Sequence, residues 1–126
     1  MRVAGCRFCR ENGLLIDAPL LETKHFYLLA SRDPDLPLAS MIVPHRHSES
    51  PFEMSPDEWS DFNAALAATR DHYGDQKPDG FTLGWNVGSV GGQHVFHTHL
   101  HVIPRFAGEP LDGKGIRNAF KEALQR

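Results

Sequence analysis

Gly91-Gly92-Gln93-His94-Val95-Phe96-His97-Thr98-His99-Leu100-His101-Val102-Ile103-Pro104-Arg105 is the stretch on which the reading of this chain turns. It carries four of the eight histidines, and His97, His99 and His101 occupy every second position. Side chains on a strand alternate between faces. The spacing therefore predicts three imidazoles in a row on one face, with Leu100 and Val102 on the other. At a rise of about 3.3 Å per residue, adjacent rings are expected about 6.6 Å apart and the outer pair about 13 Å apart. That span suits an extended anion such as a phosphate chain better than a single atom. Pro104, which has no N–H to donate, is expected to end the strand.

Three readings compete for the row. One is a histidine-rich edge strand with solvated rings. Another is a three-histidine metal site, for which the ring at i+4 would have to bend back to the ion held by the other two. The third, which leads, is nucleophilic and anion-binding chemistry with a separate task for each ring. Gly88-Ser89-Val90-Gly91-Gly92 runs directly into the row and can present successive backbone N–H groups to an anion. Ahead of it, Phe81-Thr82-Leu83-Gly84-Trp85-Asn86 alternates, with Phe81, Leu83 and Trp85 on one face and Asn86 on the other, beside the loop. Imidazole, with an unperturbed pKa of about 6.5, is largely neutral and still basic at pH 7. A neutral ring is nucleophilic at one nitrogen when a hydrogen bond at the other fixes its tautomer. His99 can thus attack a phosphorus and form a covalent intermediate. His101 would donate to the phosphoryl oxygens as charge builds on them. Asn86, Gln93 and the loop amides are candidate further donors, and His94 would bind phosphate or protonate the leaving group.

His97-Thr98-His99-Leu100-His101-Val102-Ile103, preceded by Gly92-Gln93 and further back by Asn86, resembles the histidine triad (HIT) motif of a superfamily of nucleotide hydrolases and transferases. Two positions depart from it: Thr98 stands where an apolar residue is usual, and His94 where relatives have Ser or Thr. The resemblance runs roughly from Cys6 to Phe106, leaving 107–126 as a C-terminal extension of one domain spanning 1–126. It implies an α+β, HIT-like fold, with an antiparallel sheet of about five strands, one long helix and a C-terminal helix. It also implies a homodimer paired through the long helix, and a catalytic set of His97, His99 and His101 with His99 becoming nucleotidylated before transfer to water or another acceptor. The expected substrate is a phosphoanhydride, phosphoramidate or phosphosulfate of a nucleoside monophosphate, with a dinucleoside polyphosphate as first choice. The rival readings are a nucleotide-binding or signalling module with little catalysis, and a zinc hydrolase. In the family an acidic residue near the end of the preceding strand holds the ribose. Ser31 stands there, with Asp33 two residues on, and Leu38-Ala39 replaces the usual Gly-His.

The only two cysteines form Cys6-Arg7-Phe8-Cys9. A C-x-x-C pair permits a redox disulfide, half of a metal site or two small buried thiols. No βαβ pattern follows to favour the first. A structural zinc needs two further ligands, and the resemblance supplies them as His47 and His97, making a closed tetrahedral site of two sulfurs and two nitrogens. His97 would then hold metal, leaving His99 and His101 for the substrate. No organic cofactor is implied.

The remaining sequence frames these motifs. At 126 residues, 40% hydrophobic and 23% charged, the chain fits one soluble domain with a single core. A net charge of −3 argues against general nucleic-acid binding, which needs a basic stripe. No apolar run reaches the ~18 residues of a membrane span, and early arginines interrupt any signal segment, so a cytoplasmic location is expected. Leu14 to Leu29 reads as strand, turn and strand, and Ser40–Pro44 as a further strand followed by His45 and Arg46, which are candidates for a phosphate path or a solvated turn. Ser55-Pro56-Asp57-Glu58 is a capping box opening a helix whose Trp59, Phe62, Leu66 and Tyr73 share a stripe and which Gly74 stops. Ile116, Phe120 and Leu124 recur at helical spacing, with Lys121 and Arg126 toward the end of a short terminal helix.

Overall fold

A computed structural model describes residues 2–124. Arg126, expected in the last turn of the terminal helix, lies outside them. Five strands form one antiparallel sheet: β1 Leu21–Glu22, β2 Phe26–Ala30, β3 Ser40–Pro44, β4 Gly80–Trp85 and β5 Leu100–Arg105, in the order β1-β2-β3-β5-β4. The long helix α1, Pro56–His72, connects β3 to β4, and β5 inserts between those two strands. The expected α+β architecture, with one long and one terminal helix, is thus the observed one. No helix among the described residues is long and apolar enough to cross a membrane.

The capping box at the start of α1 forms as the sequence dictates. Ser55 Oγ accepts from the Glu58 amide at 3.1 Å, and the Glu58 carboxylate accepts from the Ser55 amide at 2.8 Å. Such a cap is worth about 1 kcal/mol. Glu58 is buried, and Arg46 Nη2 meets the same carboxylate oxygen at 2.6 Å. Arg46 is therefore committed to an ion pair, not to a phosphate path. Burial pushes the Glu58 pKa up, but Arg46 and Ser55 outweigh it and hold the carboxyl below its ordinary range.

Two apolar clusters cover the two faces of the sheet, as a strand period of two requires. Phe26, Leu28, Ile42, Leu100 and Val102 pack under Phe62 and Leu66 of α1. Tyr27, Leu29, Met41 and Val43 pack on the opposite face with Phe8, from the N-terminal segment. Burying each such side chain contributes about 1.5–3 kcal/mol. Leu100 and Val102 thus lie on the α1 face as the alternation predicts. His101, between them, faces the N-terminal segment.

Three expectations need correction. Pro104 does not end β5. It lies inside the strand opposite Phe81, beyond Val102, where pairing with β3 has already stopped and a proline is tolerated beside the vacated edge. Gly74 does not supply a left-handed stop: α1 passes into a short 3₁₀ turn at Gly74–Gln76, and the left-handed residue is Lys77, at φ 51°. Trp59 is only half covered. It stacks edge-on with Phe62 and Trp85 and keeps 45% of its surface exposed.

The terminal helix α2, Ile116–Leu124, is amphipathic as expected, and its apolar residues are exposed. Its first turn leans on the sheet where Gly84 has no side chain: a Cβ there would come within 3.3 Å of Ile116. Gly84 pairs with His101. The segment leading to α2 is held by Arg105, which donates to Glu109 Oε1, to Thr82 Oγ1 and to the carbonyls of Leu111 and Lys114.

Candidate active site and metal centre

The histidine row straddles the start of β5. Only His101 belongs to the strand; His97 and His99 lie in the lead-in, which is bent at 95–97. The lead-in bends the row, and the His99 and His101 ring centres are 4.9 Å apart, closer than the 6.6 Å of a regular strand. Thr98, between His97 and His99, is buried. Its amide donates to the Ser48 carbonyl at 2.7 Å, and its hydroxyl pairs with Ser48 Oγ at 2.7 Å. The hydroxyl that departs from the usual apolar pattern therefore ties the row to the chain beside His47. Ser48 carried no signal in the sequence that would have marked it for this role.

His97 is fully buried and turned away from any cleft. Its Nε2–H donates to the Pro44 carbonyl at 2.7 Å, which leaves Nδ1 as a lone pair. That atom lies 3.4 Å from Cys6 Sγ and 3.6 Å from Cys9 Sγ, and His47 Nδ1 is 3.4 Å from Cys9 Sγ. All four ligand atoms fall within 4.8 Å of one another. With metal–ligand bonds of 2.0–2.3 Å, a tetrahedron has edges of about 3.3–3.8 Å, the range in which these three nitrogen–sulfur separations fall, so the donor set fits a metal ion. Burial pushes the His97 pKa down to about 4, while Pro44 opposes the shift and His47 adds to it. The ring is thus neutral, as a ligand must be. Burial likewise pushes the Cys9 thiol up, a cost that a divalent cation would offset. The Pro44 carbonyl fixes the ligand tautomer from the second side. Grouping His97 with the catalytic rings is corrected by the same geometry: a ring with no exposed surface cannot touch a substrate.

His99 is 7% exposed, and its Nδ1–H donates to the His97 carbonyl at 2.8 Å. Nε2 is left as the lone pair. Burial holds the His99 pKa below its ordinary value, the His97 carbonyl opposes that shift, and the nearby charge of Arg7 adds to it. The buried Phe8 sets its ring edge-on to His99, centre to centre at 5.2 Å, and Tyr27 fixes Phe8 by donating its hydroxyl to the Phe8 carbonyl at 2.7 Å. Sequence reasoning had given neither aromatic a part in the site. His101 is half-buried, and burial, then the His99 charge, lowers its pKa as well. Its Nε2 lies 3.5 Å from Asn86 Nδ2, so strand β4 brings Asn86 to the row.

Other expected donors are engaged elsewhere. Gln93 is buried; its Oε1 accepts from the Gly88 amide, and its Nε2 donates to the carbonyls of Glu49 and Val95. With no N–H left over, its side chain braces the glycine loop and does not reach phosphate. Within that loop the amides of Gly91 and Gly92 donate to the Gly88 and Ser89 carbonyls, so fewer N–H groups face outward than an open anion cradle requires. A side chain at Gly91 would run into the Val87 carbonyl, which explains a glycine there. His94, next to Gln93 in the chain, is exposed. Ser31 opens into a recess of about 270 Å³ whose wall includes Leu15, Ile16, Leu29 and Met41, and its buried hydroxyl has no partner among the described residues. Asp33 is exposed in its loop, where its Oδ1 accepts from the Asp35 amide.

A five-stranded antiparallel sheet with an oriented pair of imidazoles beside a closed Cys/His cluster defines the class of protein. The family model described as the HIT domain matches residues 17–108, and the chain belongs to that family. The match begins after the cysteine pair. The chain is 31% identical over 105 residues to an uncharacterised HIT-like protein of Methanocaldococcus jannaschii, covering 82% of this chain and 81% of that one. It is 31% identical over 101 residues to the AP-4-A phosphorylase of Mycobacterium tuberculosis, covering 79% of this chain and 50% of that one. The crystal structure of a Zn-bound histidine triad family protein from Mycobacterium smegmatis superposes with a TM-score of 0.72 at 23% identity, covering 96% and 91% of the two chains, a likeness of fold.

Proposed function

We propose that the chain is a nucleotidyl hydrolase or transferase working through a covalent nucleotidyl-histidine on His99. The observation that carries this reading is the His99 hydrogen bond to the His97 carbonyl, which leaves Nε2 unprotonated beside His101. The Nε2 lone pair forms a bond to the α-phosphorus, and the bond from phosphorus to the leaving oxygen or nitrogen breaks. The leaving group departs with a proton. Water or another acceptor then attacks the phosphorus and gives up its proton to the group that protonated the leaving group, the P–N bond breaks, His99 Nε2 regains its lone pair, and the nucleoside monophosphate or its transfer product is released. His101 and Asn86 stabilise the charge on the phosphoryl oxygens, and His94 stands as the candidate to protonate the leaving group.

The recess at Ser31 receives the nucleoside. Leu15, Ile16, Leu29 and Met41 offer it an apolar surface for a base, and Ser31 stands in the same wall. A dinucleoside polyphosphate is the first substrate to test, a choice in keeping with the relative named AP-4-A phosphorylase. Cys6, Cys9, His47 and His97 hold a structural zinc, which fastens the N-terminal segment to the sheet and supplies no reacting atom. A second copy of the chain covers the apolar edge where Trp59 and Leu83 are exposed beside the free side of β4. Light scattering would read a dimer, with Trp59→Glu shifting it to monomer.

Single-turnover assays with dinucleoside polyphosphates and with amine-linked nucleoside monophosphates test the reaction. Release of a nucleoside monophosphate in each case supports it. Binding without turnover of any would leave a nucleotide-binding module in its place.

A further inference from the structure

Arg7 stands between Cys6 and Cys9, with its guanidinium carbon 5.7 Å from the centre of the Phe8 ring. Phe8 in turn packs against His99. Arg7 also lines the recess that holds Ser31 and Met41. Met41 pairs directly with His101 across β3 and β5, and directly paired residues share a face of the sheet. The guanidinium therefore stands where the recess meets the histidine row. Arg10, Arg32, Arg46 and Arg105 each meet a carboxylate; Arg7 is exposed and, like Arg2, Arg70 and Arg117, has no ion pair among the described residues, and of these four it is the one that lines the recess. The loop that carries it is held firmly: Asn12 Nδ2 donates to the carbonyls of Val3 and Cys6, and the Tyr27 hydroxyl to that of Phe8. An unpaired cation on a braced loop, in a chain of net charge −3, calls for an anionic partner from outside. A guanidinium fork matches the non-bridging oxygens of a phosphate.

We propose that Arg7 is a further substrate-binding residue, which grips the phosphate of a nucleotide lying between the Ser31 recess and His99. This rests on the nucleotide reading above and adds a phosphate contact from the cysteine loop, outside the histidine row. It also couples the two halves of the site, because the segment that carries the sulfur ligands delivers the charge.

The test compares equilibrium binding of adenosine 5′-monophosphate and of adenosine, by calorimetry, to the wild-type protein and to Arg7→Ala, Arg7→Met and Arg7→Lys. Metal content and melting temperature are followed in each. Arg7→Ala is expected to weaken monophosphate binding about tenfold while changing adenosine binding less than about twofold. Arg7→Lys should recover most of the loss. Arg7→Met, which keeps an apolar stem against Phe8, should behave as Ala does and serves if Ala loosens the loop. Equal losses for both ligands, or none for either, would overturn the assignment of Arg7 and leave the nucleotide reading standing. Failure of the wild type to bind the monophosphate, or its guanosine counterpart, would overturn that reading and Arg7 with it.

Discussion

The Nδ1 atom of His99 sits 2.8 Å from the carbonyl oxygen of His97, two residues before it. One backbone acceptor thus fixes the tautomer of the nucleophile, and the residue that supplies it is anchored in turn by the Cys/His cluster. His99→Asn should remove the nucleophile while keeping a side-chain donor to that carbonyl. The expected loss in single-turnover rate is about a thousandfold or more, with nucleotide affinity changed only a few-fold. Comparable rates in mutant and wild type would place the nucleophile elsewhere.

The alternation of His97, His99 and His101 was legible, and so were β3, the capping box and the opposite burial of Leu100 and Val102. Each follows from a local rule of period or cap. The division of the row was less legible, because it depends on where β5 begins: His97 and His99 precede the strand and bend, which shortens the His99–His101 separation and turns His97 inward. The partners of Gln93, a candidate phosphate donor in the sequence, and of Arg46, a candidate for a phosphate path or a solvated turn, are hidden from the sequence for a common reason. Polar residues near a site look like ligand donors until their partners, Gly88 and Glu49 in one case and Glu58 in the other, are brought in by tertiary structure. Phe8 and Ser48 left no local signal, since their roles are contacts across the fold.

Burial holds the pKa values of both His99 and His101 below the ordinary 6.5. Protonation silences a nucleophilic imidazole, so the acid limb of the kcat/KM profile should have its midpoint below pH 6.5. Stability has the same sign. The unfolded chain takes up these protons first as pH falls through 6.5, so this contribution is complete above that pH and is lost as pH falls through the folded values. Urea unfolding at pH 8 and pH 5 should show the lower midpoint at pH 5.

Metal removal should act through the fold. Purified protein is expected to carry about one zinc per chain by elemental analysis, and Cys9→Ser to lose it. On titration with a chelator, loss of activity should coincide with a fall in melting temperature. Activity lost while the melting curve is unchanged would favour a zinc hydrolase instead.

Glu58 caps α1 and receives Arg46 while buried. Glu58→Ala removes the cap and strands Arg46, and should cost about 1–3 kcal/mol in urea unfolding. The kcat of the folded variant should stay within about twofold of wild type, since nothing in the histidine row touches this residue. A larger fall in kcat would tie α1 to the chemistry.

The covalent step is reached most directly by quenching a reaction with a dinucleoside polyphosphate at early times and mapping the modified peptide by mass spectrometry under conditions that preserve P–N bonds. A nucleoside monophosphate attached to His99, absent in His99→Asn and decaying as product appears, is the predicted result. Attachment at His101 or His94, or turnover with no modified histidine at any time, would contradict it.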